Sequence, residues 1–381
     1  MGLAVGGVCL YRGPMKGQFE IFLMAPPGLE PGLEAEAREA GFAVRGSVPG
    51  GVTLTGGWRD VMRANLELRG AGRVLARVAA FKVMNLPQLH ELTGAVDWSA
   101  LLRPDVPVRV DATCKASKIY HQGAVAERVG HAIARQTGVQ IGPDGLSIKV
   151  RIEQNRATIS IDTSGEPLHR RGHKEAVGKA PMRETLAALF LRECGYRGEE
   201  PVIDPMCGAG TFVLEAAEIA LGLQPGRDRA FDFERFALFD PDELAAQRRP
   251  GRSGTPHLFL GHDRDRGVIE MARANAVRAG IGEAVRFAAQ SVSDLRRPDG
   301  PAGLVIVNPP YGARIGNTSS LRAVYGALGK VLAERFSGWR VGLVTSDPSL
   351  AKATRLPGLK PGTPVPHGAI RVQLWQTGAL P

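Results

Sequence analysis

The chain has 381 residues, enough for two or three domains with cores of their own, and its 44% apolar and 23% charged content is that of a globular protein. A net charge of +10 and a pI near 9.7 point to a polyanionic partner. No apolar run is long enough for a membrane span, and Leu3–Leu10 is too short and glycine-broken for a signal peptide. The scattered Cys9, Cys114, Cys194 and Cys207 form no CxxC pair, which argues against a zinc or disulfide framework and for the reduced thiols of a cytoplasmic protein.

Residues 1–17 carry no functional signal and read as an N-terminal tail. Phe19–Met24 predicts a strand, Pro27–Ala40 a helix closed by Gly41, Gly51–Thr55 a strand, Trp58–Arg69 a helix and Arg73–Val83 a returning strand. Short strands and helices in alternation suggest a ferredoxin-like α+β unit over residues 18–87, with nothing at catalytic spacing. Helical text from Leu89 to Leu102 leads into a strand at Val106–Thr113, a basic loop, and a helix over Gly123–Gln136. Arg109, Lys115, Lys118, Arg128 and Arg135 outnumber Asp111 and Glu127 here, with Tyr120, His121 and His131 among them. Such a stretch is either a phosphate-tracking face or an ordinary solvated helix face. Strands at Leu146–Ile152 and Ala157–Ile161 close this second unit, residues 88–162.

Residues 163–183 read as a basic linker, broken by Gly165, Pro167, Gly172, Gly178 and Pro181 and carrying Arg170, Arg171 and Lys174. Pro181 then introduces a helix over Met182–Arg192, opening a last domain over residues 184–381. Val202-Ile203-Asp204 is a short strand that runs through Pro205, Met206 and Cys207 into Gly208-Ala209-Gly210-Thr211 and an apolar helix. This is the layout of a nucleotide site on the first strand of a doubly wound sheet, with glycines for a tight turn and free N–H groups at the helix start. Val213 stands where the dinucleotide fingerprint needs a third glycine, so a nicotinamide enzyme is disfavoured. Cys207 invites a nucleophile reading, but its place in the turn suits a small cofactor-facing residue better. The Arg-rich stretch Gly222–Gly254, with Phe231, Phe233 and Phe236, is either an RNA contact or a capping insertion.

His257–Asp263 and Val285–Ala289 predict the second and third strands, with a helix over Gly267–Gly280 between them. Leu304–Val307 is a buried strand that exits into Asn308-Pro309-Pro310-Tyr311, where the prolines hold extended backbone at its carboxyl end. The Asn308 side-chain oxygen and the Pro309 carbonyl are both acceptors, suited to the two N–H bonds of an amino group on an aromatic ring, with Tyr311 to stack on that ring. A helix over Leu321–Phe336 and strands at Arg340–Thr345 and Ile370–Trp375 follow.

Together, Asp204–Gly210 and Asn308–Tyr311 resemble a class I S-adenosyl-L-methionine-dependent methyltransferase acting on exocyclic amines. Ile161–Arg171 and Gly178–Ala187 are similar to the THUMP-domain RNA methyltransferases that make N2-methylguanosine, and the similarity covers residues 19–378. The resemblance implies a Rossmann-like seven-stranded sheet with an antiparallel last strand at Ile370–Trp375, preceded by a THUMP module that docks structured RNA. It implies 23S rRNA as substrate, with tRNA the alternative, and guanine N2 as the target, with adenine N6 a rival and a non-catalytic RNA-binding factor the alternative of another class. It implies cofactor contacts from Asp204, Pro205, Met206, Cys207, Gly208, Gly210, Thr211 and Asn308, and ribose contacts from Asp263, with Asp265 the alternative. It implies RNA contacts from Arg109, Lys115, Lys118, His121, Arg128, Arg170, Arg171 and Lys174, and no metal. Two positions depart from the pattern. Ser291 stands where an acid commonly holds the adenine amino group, leaving that contact to Ser291 or Asp294, and Ala313 replaces a usual Glu. Some relatives carry a second methyltransferase domain beyond the last strand.

Overall fold

Alternation of apolar residues along Phe19–Met24 buries Phe19, Ile21 and Leu23 on one face, and the same rule extends strand by strand into the first of two large sheets. The computed structural model describes residues 9–10, 17–174, 182–311 and 318–381, grouped into two units. The first unit comprises residues 1–25, 34–168 and 229–248, and the second residues 26–33, 169–228 and 249–381. The stretch expected as a linker is thus divided between them at Leu168.

The first unit's sheet runs, edge to edge, through Ala43–Val48, Gly51–Gly56, Phe19–Met24, Arg73–Lys82, Arg156–Asp162, Leu146–Glu153 and Val108–Lys115, with Cys9–Leu10 also paired to Arg73–Lys82. Among the described strands of this sheet, Val108–Lys115 and Leu146–Glu153 are the one pair that runs parallel. Antiparallel pairing of Arg73–Lys82 with Arg156–Asp162 joins the ferredoxin-like strands and those that follow into one continuous sheet. Ala43–Val48 was not legible as a strand: it is mostly exposed and carries a bulge at Val44/Gly46, so it has no apolar alternation to show. Trp58–Glu67 buries Val61, Met62, Ala64 and Leu66 together with Asn65. The Asn65 side-chain amide donates to Thr163 Oγ1 (3.0 Å) and accepts from Ser164 Oγ (2.7 Å).

The stretch Gly222–Gly254 was open between an RNA contact and a structural insertion, and its aromatic part is core. Phe231 and Phe233 stack at 4.9 Å, Phe236 meets the Trp58 ring at 5.8 Å, and all three phenylalanines are buried. Arg229 donates to the Pro167 and Ser164 carbonyls (3.0 and 3.1 Å), so this cation serves the fold.

The second unit's sheet has the order Val285–Ala289, Phe259–Asp263, Val202–Asp204, Leu304–Val307, Arg340–Thr345, Ile370–Gln376 and Lys360–Pro361, with Val365–His367 forming a hairpin on Ile370–Gln376. The first five are parallel and Ile370–Gln376 is antiparallel, as expected. Helices Pro241–Gln247 and Pro348–Ala353 escaped the sequence reading because each is short and set by its Asp–Pro cap rather than by periodicity. Chain direction across the sheet reverses between Val202–Asp204 and Leu304–Val307, the position at which an open α/β sheet leaves a crevice at its carboxyl edge. Among the described residues no helix is long and apolar enough to cross a membrane.

Candidate active site

Four neighbouring strands of the second sheet end in the four stretches singled out from the sequence. In sheet order these are Ser291–Asp294, Asp263, Asp204–Gly210 and Asn308–Tyr311. Leu304–Val307 is buried throughout, which drives the strand into the sheet's centre and leaves Asn308 at its exit.

The turn after Val202–Asp204 is pinned from several sides. Met206 N–H donates to Asp204 Oδ1 (3.0 Å), Cys207 N–H to the His262 carbonyl (2.8 Å) and Gly208 N–H to Asp263 Oδ2 (3.2 Å). The Asn275 amide, wholly buried, donates to the Ala209 carbonyl (3.1 Å). Gly208 and Gly210 have φ of +51° and +88°. A Cβ on Gly210 would also come within 3.0 Å of the Phe287 ring, so glycine is required there on two counts. Gly210 caps Thr211–Ala220 without a side-chain bond, leaving backbone donors at the helix start for an anion.

Asp263 and Asp265, rivals in the sequence, have different employment. Asp265 caps Arg266–Arg278 by accepting from Gly267 N–H (2.8 Å), whereas Asp263 holds the glycine turn and accepts Asp265 N–H (3.0 Å) on its other oxygen. Asp204 is 2% exposed, and burial, followed by the neighbouring Asp263 charge, pushes its carboxyl well up. Burial also pushes the Cys207 thiol well up, with the Asp204 and Asp263 charges adding to it. A thiol so placed does not ionise into a nucleophile, and Cys207 is a small wall of the turn. Ser291 and Asp294 are both exposed, and Ser291 Oγ accepts weakly from Ser293 N–H (3.4 Å).

At Asn308 the side-chain Oδ1 is buried and, among the described residues, accepts no hydrogen bond. A buried acceptor at a strand exit with no donor among the described residues is open to a donor from a bound group. Pro309 is buried, Pro310 and Tyr311 are half-buried, and Tyr311 packs on the core cluster around Tyr325 and Leu343. Burial raises the Tyr311 phenol, and a hydrogen bond with Asn308 opposes this. Residues 312–317, including Ala313, lie outside the described residues, as do 175–181 with Gly178 and Pro181, and residues 1–8 and 11–16 of the expected tail.

The expected RNA contacts separate into exposed and interior sets. In the first unit Lys115, Lys118, His121 and Arg128 are exposed, and Tyr120 is 80% exposed. Their loop is braced by Lys118 N–H to Asn155 Oδ1 (2.7 Å) and Asn155 N–H to Ser117 Oγ (3.0 Å). Lys115 pairs with Glu153 (3.3 Å), and Arg109 with Asp111 and the Pro143 carbonyl (3.2 and 2.7 Å). In the second unit Arg170 is exposed, but Arg171 is not: its guanidinium lies against Glu215 at 3.0 Å, both side chains 2% exposed. Lys174 is likewise interior, its ammonium on Glu184 (2.9 Å), Thr211 Oγ1 (2.8 Å) and the Met182 carbonyl (3.2 Å). Buried cations with their donors engaged on protein oxygens are not presented to a phosphate, so the expected RNA face does not extend to these two. Asn275 and Phe287 were missed. An Asn among the apolar positions of Arg266–Arg278 was the available signal for the first, and nothing local marks the second.

The same arrangement is found in known proteins. Residues 171–362 match the family described as RMKL-like, methyltransferase domain, residues 20–75 the RlmL ferredoxin-like domain, and residues 83–162 the THUMP domain. The chain is 34% identical over 362 residues to the ribosomal RNA large subunit methyltransferase K/L of Syntrophotalea carbinolica, covering 89% of this chain and 50% of that protein. It thus spans half the length of that curated relative. A "possible methylase" from Clostridium difficile 630 superposes with a TM-score of 0.86 at 27% identity, over 96% of this chain and 99% of that one. A "predicted N6-adenine-specific DNA methylase" from Listeria monocytogenes does so with a TM-score of 0.85 at 28% identity, over 95% and 96%. Since the matched span carries every parallel strand of the second sheet together with the turn and the Asn308 exit, the chain belongs to the RMKL-like methyltransferase domain family.

Proposed function

We propose that the protein transfers a methyl group from S-adenosyl-L-methionine to the exocyclic N2 of a guanine in 23S rRNA. The observation that carries the reaction class is the buried Asn308 Oδ1, which has no hydrogen-bond donor among the described residues, at the carboxyl edge two strands from Asp263. Bound there, the cofactor supplies an electrophilic methyl on a positive sulfonium. Backbone N–H groups after Gly210 take its carboxylate, and the Asp263 oxygens, each already accepting one backbone N–H, keep lone pairs for ribose hydroxyls. Asn308 Oδ1 and the Pro309 carbonyl accept the two N–H bonds of the target amine and orient its lone pair, while Tyr311 stacks on the base. No strong base is needed to start the reaction, because the amine proton becomes acidic only after transfer. RNA as substrate is supported by the THUMP match and by the similarity to the ribosomal RNA large subunit methyltransferase K/L. Lys115, Lys118, His121 and Arg128 would track phosphates around a flipped-out guanine, with the cytoplasm the location that such a substrate implies.

The name of the Listeria protein favours a second reading, adenine N6. One experiment separates them: transfer from labelled S-adenosylmethionine to unmodified 23S rRNA and tRNA transcripts, digested to nucleosides. Label in N2-methylguanosine from 23S rRNA is the expected result. Label in adenosine overturns the base, and label in tRNA alone overturns the RNA class.

A further inference from the structure

Lys174 carries a charge that suits a surface, yet its side chain is interior. Its side chain is 7% exposed, and its ammonium donates to Glu184 Oε1 (2.9 Å), Met182 O (3.2 Å) and Thr211 Oγ1 (2.8 Å). Thr211 is the first residue of Thr211–Ala220, directly after the uncapped Gly210. Because its oxygen accepts from Lys174, the Thr211 hydroxyl proton must point elsewhere, and among the described residues it meets no acceptor. A neighbouring anchor holds the Lys174 segment on the same helix, Arg171 on Glu215 (3.0 Å), and the buried His173 ring lies beside Glu218 without a hydrogen bond to it. Thr211, Glu215 and Glu218 are spaced to lie along one face of that helix.

We propose that Lys174 is a positioning residue for the cofactor's amino-acid carboxylate: by holding Thr211 Oγ1 through its lone pair, it turns the hydroxyl proton toward the anion bound at the helix start. Glu184 neutralises the ammonium, so the carboxylate is read by the Thr211 hydroxyl and backbone N–H groups and not by the lysine directly. The inference rests on the cofactor reading of this turn, and not on which base or RNA is methylated.

The test is calorimetric binding of S-adenosylhomocysteine, which has the carboxylate, and 5′-methylthioadenosine, which lacks the amino-acid end, to the full chain without RNA. Lys174→Met and Thr211→Val are each expected to weaken S-adenosylhomocysteine about ten-fold, the size of one hydrogen bond to a charged group. The double variant is expected to be no weaker than either single one, with methylthioadenosine affinity unchanged throughout. Lys174→Met leaves Glu184 without its cation, so Lys174→Met/Glu184→Gln and the Thr211→Val variant serve where the single lysine variant fails to fold. Equal weakening of both ligands, additive effects, or no effect overturns the proposal, the first marking Lys174 as structural only. Reduced RNA affinity with intact S-adenosylhomocysteine binding also overturns it and returns Lys174 to the RNA face. If the unaltered chain binds neither ligand, the cofactor site itself is wrong, and the proposal falls with it.

Discussion

In the first unit Lys115, Lys118, His121 and Arg128 stand on the surface around an exposed Tyr120, whereas in the second Arg171, Lys174 and Arg227 turn inward onto Glu215, Glu184 and Glu218. Both groups look alike in sequence, as basic residues scattered among glycines and helix text. What separates them is the availability of a buried carboxylate. The inward cations face acids on Thr211–Ala220 and Glu184–Glu193, both helices with mostly buried faces, while the outward ones sit at a strand end, on a loop and on a helix, where the nearby Glu153 and Glu127 are half-buried and exposed. A buried pair fixes geometry, and an exposed cation stays available to a polyanion.

Four measurements sharpen or break that contrast. The largest effect is expected at the buried acceptor: Asn308→Ala should lower kcat by about 10²- to 10³-fold. Its S-adenosylhomocysteine affinity by calorimetry should stay near that of the unaltered chain, and undiminished turnover would end the proposed mechanism. Arg171→Met leaves Glu215 buried without its cation and should destabilise the protein by about 3–5 kcal/mol in urea unfolding. RNA affinity measured where the variant remains folded should not change, and a selective loss of RNA binding would erase the distinction between the two groups. Lys118→Ala and Arg128→Ala should do the reverse, each reducing the salt slope of RNA binding by about one, with the melting temperature unaltered.

The smallest effect is one of pH. His169 is pushed down to about 4 by burial and by the nearby charges of Arg183, Arg170, Arg171 and Lys174. Between that value and the ordinary histidine range near 6.5 the unfolded chain binds a proton that the folded one refuses, so stability is full above this window and falls as pH falls through it. His169→Gln should lose less stability than the unaltered chain between pH 7 and about pH 4.5 in denaturant titrations. Parallel curves would place His169 outside the cationic cluster.

The sheet of the second unit was legible because its strands are short runs ending in chemistry-bearing residues: Asp204, Asp263 and Asn308 are each the last residue of a strand or the one just beyond it. Parallel strands of a doubly wound sheet share one carboxyl edge, so the strand ends alone predict that these three residues stand along it. Side-chain direction was not legible in the same way. Nothing around Arg171 or Lys174 in the sequence reveals that residues tens of positions later supply their carboxylates, since such pairing depends on tertiary approach. Ala43–Val48 failed for a different reason, being an exposed edge with no apolar face to reveal it. Asp263 was separable from Asp265 only through hydrogen bonds, because either can cap the helix that follows.

The make-up of the first unit has a consequence for the order in which the protein can mature. Its interior includes Phe231, Phe233 and Phe236, and Phe233 N–H donates to the Thr163 carbonyl (3.0 Å) while Ala237 N–H donates to that of Leu101 (3.1 Å). A ribosome that has released only residues up to Leu168 has therefore supplied every strand of that sheet but not the aromatic plug against Trp58. At about 5–20 residues per second the plug follows several seconds later. During that interval the Trp58 ring lacks the Phe236 ring that packs on it, and cutting the chain at residue 168 would make that unfinished stage permanent.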